Sequence, residues 1–131
     1  MGDRVRHAAG DAVTEMIARL ARPASWAAVL LLAVLSLLPK AEMVRTGAAG
    51  WLEHVVAYAG TMLLFAIGYA ERSGVLRPAL ALIAYAAVLE LGQNFSAGRK
   101  PAFTDFAASA TGIIVTAGMF HLARARYRST R

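Results

Sequence analysis

Four apolar runs, each closed by polar or helix-breaking residues, divide the chain. They cover about Ala24–Leu38, Trp51–Ala70, Val75–Phe95 and Pro101–Ala123. A helix needs ~20 mostly apolar residues to cross ~30 Å of hydrocarbon, and runs two to four reach that length. Run one is shorter and draws on residues around Pro23, which suits a first helical turn because its missing N–H is no loss there. A long region precedes run one, and Leu37-Leu38-Pro39-Lys40 is not a small-residue cleavage site, so a span is expected rather than a cleaved leader. Further upstream, Val13, Met16, Ile17 and Leu20 recur at i, i+3, i+4, i+7, which predicts an amphipathic helix over Gly10–Arg22. Asp11 is its N-cap candidate, and Thr14, Glu15, Arg19 and Arg22 cover its other side. Such a helix lies in the headgroup plane or packs on a partner protein, and the membrane surface is the expectation. The predicted organisation is an interfacial segment 1–23, a four-helix membrane domain 24–123 and a basic tail 124–131. The expected fold is an all-α integral membrane four-helix bundle with an N-terminal amphipathic interfacial helix.

Composition supports lipid as the solvent. Hydrophobic residues make up 58% of the 131 and charged residues 17%, with a mean hydropathy of +0.51. A soluble domain has ~45–50% apolar and ~25% charged residues, and disorder needs low hydrophobicity. No cysteine is present, so disulfides, thiolate metal sites and thiol nucleophiles are excluded. The net charge of +6 does not indicate nucleic acid, because the basic residues flank apolar runs and face anionic lipid heads.

The same residues orient the spans. Arg4, Arg6, Arg19, Arg22, Arg72, Arg77, Arg124, Arg126, Arg128 and Arg131 fall on the side of both termini, whereas Lys40, Arg45, Arg99 and Lys100 fall on the other. The positive-inside rule then places both termini in the cytoplasm.

This threading collects the polar residues. Glu53 and His54 open helix two, Glu90, Gln93 and Asn94 close helix three, Arg99 and Lys100 lie in the third loop, and Thr104 and Asp105 open helix four. All fall at the outer headgroup level. His54, Tyr58 and Thr61 share a stripe, as do Asp105, Ser109, Gly112 and Thr116. The second stripe is small or polar throughout and permits close helix contact in lipid, with Gly112 and Thr116 as packing positions. A carboxylate in hydrocarbon costs several kcal/mol unless paired, so Glu90 and Asp105 are expected to face the interior. Arg99 is their nearest strong partner, and its planar fork suits a carboxylate or a phosphate. The layer therefore reads as a staple holding the third loop, as a site for an anionic headgroup or extracytoplasmic ligand, or as both. The candidate ligand-binding residues are His54, Tyr58, Glu90, Gln93, Arg99, Lys100, Asp105 and Ser109. No catalytic residue is assigned. No dense ligand motif supports a divalent cation on Glu53, Glu90 and Asp105, and no cofactor is expected. His7 and His121 lie at the opposite side as bystanders. Trp51 suits the outer aromatic belt and Tyr127 the inner one, while Met62 and Met119 read as packing or lipid-facing residues.

In order along the chain, His54-Val-Val-Ala-Tyr58, Glu90-Leu-Gly-Gln93, Gly98-Arg99, Asp105 and Gly112 resemble the VanZ-like family of small bacterial membrane proteins, named after a teicoplanin-resistance protein. The likeness covers about Leu37 to Gly118. Gly50 and Trp51 stand where the family often has Asp-Lys, and Ser109 where Asn or Asp is common. The resemblance implies a four-helix protein of the cytoplasmic membrane with a link to glycopeptide tolerance, and it supplies no reaction.

Three functions compete. One is a binding or accessory protein whose outer site recognises an envelope lipid, an anionic lipid-linked precursor or a glycopeptide. Another is an enzyme acting on a phosphorylated lipid, with Arg99 stabilising phosphate charge and His54 doing acid–base work with Glu90 or Asp105. The Pro-Ser-Gly-His pattern of lipid phosphatases is absent. The last is a structural subunit of a larger membrane complex. A small multidrug exporter is disfavoured, because such exporters carry a membrane Glu in helix one and a weak Lys/Arg bias.

Overall fold

The computed structural model describes residues 2–43 and 46–130, with the backbone alone for 2–8, 71 and 72. Arg45 and Arg131, both used in the charge count, lie outside the described residues, as do the side chains of Arg4, Arg6, His7 and Arg72. The order is α1 (Gly2–Leu37), a 3₁₀ turn (Lys40–Glu42), α2 (Gly50–Ser73), α3 (Leu76–Gly92), a second 3₁₀ turn (Gln93–Phe95) and α4 (Phe103–Ser129). Within these helices Ala9–Leu37, Gly50–Ala70, Leu76–Phe95 and Phe103–Ser129 are each long and apolar enough to cross a membrane. This is the make-up of a multi-pass membrane protein. The helices alternate in direction, so both termini and the α2–α3 turn share one end, called here the termini end. The other is the far end.

The distribution of side chains matches lipid rather than water. Leu30, Leu31, Val56, Leu80, Val88, Leu91, Ile114 and Met119 face outward, whereas Ser25, Ser36, Thr61, Glu90, Gln93 and Ser109 are buried. Water would reject so large an apolar exterior, but hydrocarbon favours it and drives polar groups inward. The core centres on α2: Tyr58, Met62, Phe65 and Ala66 pack against Leu82, Ala86 and Leu89 of α3, Ile113 and Ala117 of α4, and Leu32 of α1.

The most extensive helix contact is that of α2 with α4, and Gly112 explains it. A Cβ at Gly112 would run into the backbone of Val55, with Ala59 N only 3.2 Å away. A missing side chain here lets two backbones touch, the main route to helix association where no hydrophobic force acts between helices.

The expected interfacial helix over Gly10–Arg22 is not a separate element. The first helix runs unbroken through Pro23 from Gly2 to Leu37. Packing on both sides of the proline holds it. Ala21 and Ser25 are buried, the Arg22 stem packs on Gly68, and Arg22 Nε donates to Gly68 O at 2.9 Å. Ser25 Oγ donates to Arg22 O at 2.7 Å, the kind of side-chain bond that lets a membrane helix tolerate proline. Val13, Met16, Ile17 and Leu20 remain exposed along this rod. At the other terminus α4 carries the basic stretch after Ala123 as helix up to Ser129.

Candidate functional site

Two loops knit the far end together. Lys40 N donates to Ala97 O at 3.0 Å, and Ser96 Oγ donates to Leu37 O. Arg99 N donates to Ser96 O at 3.1 Å, closing a turn in which Gly98 has φ +73°. A side chain there would be strained, and its Cβ would also press on Lys40 Cβ at 3.2 Å. Gly98 thus permits the turn that sets Arg99 above the cleft between α1 and α2.

A cavity of about 410 Å³ lies below it, within the usual size range of ligand pockets. Leu32, Leu35, Leu52 and Val56 form apolar walls, while Ser36, Thr46, Glu53, His54, Tyr58 and Arg99 supply the polar lining. Val56 is 62% exposed, so the cavity opens sideways, onto the surface that faces acyl chains.

Arg99 does not pair with Glu90 or Asp105, contrary to expectation. Its Nη1 donates to the sulfur of Met43 at 2.7 Å, and it forms no ion pair among the described residues. A thioether is a weak, uncharged acceptor, so the guanidinium charge at the cavity lip is uncompensated by it. Glu90 is held elsewhere: its Oε1 accepts the backbone N–H of Ala102 at 2.6 Å. Ala102 is the residue before the first turn of α4, which has no side-chain cap of its own. The buried carboxylate therefore ties α3 to the entrance of α4, and Arg99 is left over because the backbone has taken its expected partner.

His54, Asp105 and Ser109 do meet. His54 Nδ1 lies 3.2 Å from Ser109 Oγ, and Nε2 lies 3.7 Å from Asp105 Oδ2. The composition is that of a hydrolytic triad, but the arrangement is not. Ser109 is buried at 2% exposure, and its hydroxyl donates to Asp105 O at 2.9 Å. A nucleophilic serine gives that proton to its histidine and faces substrate. With the hydroxyl proton committed to a carbonyl, the imidazole is the donor in the His54–Ser109 contact. The three side chains act as a polar tie between α2 and α4, one turn from the Gly112 contact.

The remaining candidates separate. Tyr58 is buried, lines the cavity and stacks on His54, with ring centroids 6.5 Å apart and planes 9° apart. Gln93 is buried, and its Nε2 finds no hydrogen-bond partner among the described residues. Lys100 is exposed and Thr116 half-buried, neither within the cavity lining. Glu53 Oε1 accepts from both Thr46 N at 2.9 Å and Thr46 Oγ1 at 2.6 Å, fastening the first loop to α2. No group of three or more His, Cys, Asp or Glu able to hold a metal occurs among the described residues. Sequence reasoning missed Met43, Thr46 and Ser36. Ser36, the lone polar residue in the run Trp26–Leu38, carried a signal, whereas Met43 and Thr46 lie in a loop without periodicity.

No family model, curated protein or solved structure matches the chain.

Proposed function

We propose that this chain is a VanZ-like integral membrane protein of a bacterial inner membrane, with both termini cytoplasmic, that holds an amphiphile with an anionic head at its outer face. The carrying observation is the pairing of a lipid-open apolar cavity with an Arg99 guanidinium that makes no ion pair among the described residues and donates to the Met43 sulfur. The apolar walls accept a hydrocarbon tail, and Arg99 engages a phosphate or carboxylate head through its planar fork. His54 and Tyr58 shape the floor. Glu90 positions the loop and does not touch the ligand. The occupant is an envelope lipid or a lipid-linked precursor, drawn from the outer leaflet. The role is binding or accessory: Ser109, which lies beside His54, is buried, and its hydroxyl donates to Asp105 O.

The test is native mass spectrometry of the protein purified in mild detergent. Wild type is expected to retain an anionic lipid, and Arg99→Gln to lose it while keeping the same helix content and elution volume. Equal retention by both proteins overturns the assignment.

A second reading, as a subunit of a larger membrane complex, is favoured by the uncovered Val13, Met16, Ile17 and Leu20 stripe. Gentle pull-down that recovers the chain alone counts against it.

A further inference from the structure

Met43 differs from the other described methionines in its surroundings. Met16, Met62 and Met119 fall within the membrane-crossing stretches, whereas Met43 lies between two of them. Met62 is fully buried, while Met43 is half-buried and lines the outer cavity beside Arg99. The backbone fixes it there. Met43 N donates to Lys40 O at 3.5 Å, closing the 3₁₀ turn, and Lys40 N is tied to Ala97 O at 3.0 Å, two residues before Arg99. The sulfur and the guanidinium thus come from two loops that are joined to each other, so the fold itself sets their 2.7 Å contact.

A thioether accepts weakly, so an anion arriving at the cavity displaces it from Arg99 Nη1 at little cost. Oxidation reverses that order. A water-borne two-electron oxidant such as hydrogen peroxide passes one oxygen atom to the Met43 sulfur: the O–O bond breaks, an S–O bond forms, the sulfur loses two electrons, and the peroxide leaves as water. The product is methionine sulfoxide, polar where the thioether was apolar. Its oxygen is a strong acceptor within reach of the same Nη1. With that nitrogen committed, the two-pronged grip that a guanidinium offers an anion is lost.

We infer that Met43 is a modification site whose oxidation to the sulfoxide captures Arg99 and so releases the anionic ligand from the outer cavity. The inference rests on the reading of Arg99 as the partner of that anion.

The experiment is native mass spectrometry of the full chain in mild detergent, with phosphatidylglycerol as the probe, before and after brief exposure to hydrogen peroxide. Peptide mass analysis locates each added oxygen. Wild type oxidised at Met43 is expected to retain about tenfold less phosphatidylglycerol, the scale of one hydrogen bond to a charged group. Met43→Leu keeps Met16 and Met119, exposed at 56% and 68%, as oxidisable controls, and is expected to retain the lipid equally before and after peroxide. Met43→Gln sets a carbonyl oxygen where the sulfoxide oxygen would stand, and is expected to show the loss without any oxidant and with wild-type helix content. Four results overturn the site: undiminished retention by wild type oxidised at Met43, full retention by folded Met43→Gln, loss from Met43→Leu on peroxide treatment, or a Met43 that stays unoxidised while Met16 and Met119 take up oxygen. Each of these leaves the outer-site reading standing. Untreated wild type that retains no phosphatidylglycerol overturns that reading, and this inference with it.

Discussion

Ser109 Oγ and His54 Nδ1 meet at 3.2 Å across the α2–α4 contact, with the serine hydrogen pointing back into its own helix. With that hydroxyl bonded inside α4, Ser109→Ala is expected to cost about 1 kcal/mol, the ordinary worth of one hydrogen bond, and to leave lipid retention unchanged. A serine-directed fluorophosphonate is expected to leave the wild-type protein unlabelled. Covalent labelling lost in Ser109→Ala would instead make Ser109 a nucleophile.

Gly112 and Gly118 make a controlled comparison on one helix. Gly112→Ala forces α4 away from the Val55 carbonyl and is expected to destabilise by about 1–3 kcal/mol, as overpacking does. Gly118→Ala meets nothing within 4 Å and is expected to be tolerated. Unfolding of both variants in a detergent titration, followed by helical circular dichroism, checks the contrast.

Glu90 contributes an acceptor oxygen for Ala102 N. Glu90→Leu buries that amide without a partner, at an expected cost of about 1–3 kcal/mol. Glu90→Gln keeps a carbonyl oxygen in place and is expected to restore most of the loss. The same titration reads it, and equal destabilisation by both variants would mean that the carboxylate serves something other than the start of α4.

The continuity of α1 through Pro23 has a direct ruler. Spin labels replacing Thr14 and Leu30 are sixteen residues apart, hence ~24 Å along an unbroken helix at ~1.5 Å per residue. Pulsed dipolar spectroscopy in bilayers is expected to find that separation, broadened by the label linkers. A clearly shorter distance would restore a bent chain with its first segment on the membrane surface.

Much of the architecture is legible in the residues. Runs of apolar side chains mark the helices of α2, α3 and α4, because in lipid the outward face as well as the core must be apolar. The meeting of His54, Asp105 and Ser109 follows from helical spacing and antiparallel threading alone. The course of α1 does not, since proline is a local signal and the packing of Ala21, Arg22 and Ser25 on α2 overrides it. The partner of Arg99 is hidden for another reason. Charge alone points to Glu90, and only the path of the third loop shows that a backbone amide reaches that carboxylate first. The cavity is hidden too, being a gap between α1 and α2 to which no single residue type corresponds.

The first helix is fastened to its neighbours at two levels: by Arg22 on Gly68 near one surface, and by Leu37 with Ser96 and Lys40 with Ala97 near the other. Between those clasps it borders the cavity, while α2 on the far wall is riveted to α4. One wall of the slot is thus held at two points and the other is backed by α4. Making room for a guest bulkier than the cavity would mean bowing α1 outward between its two fixed points.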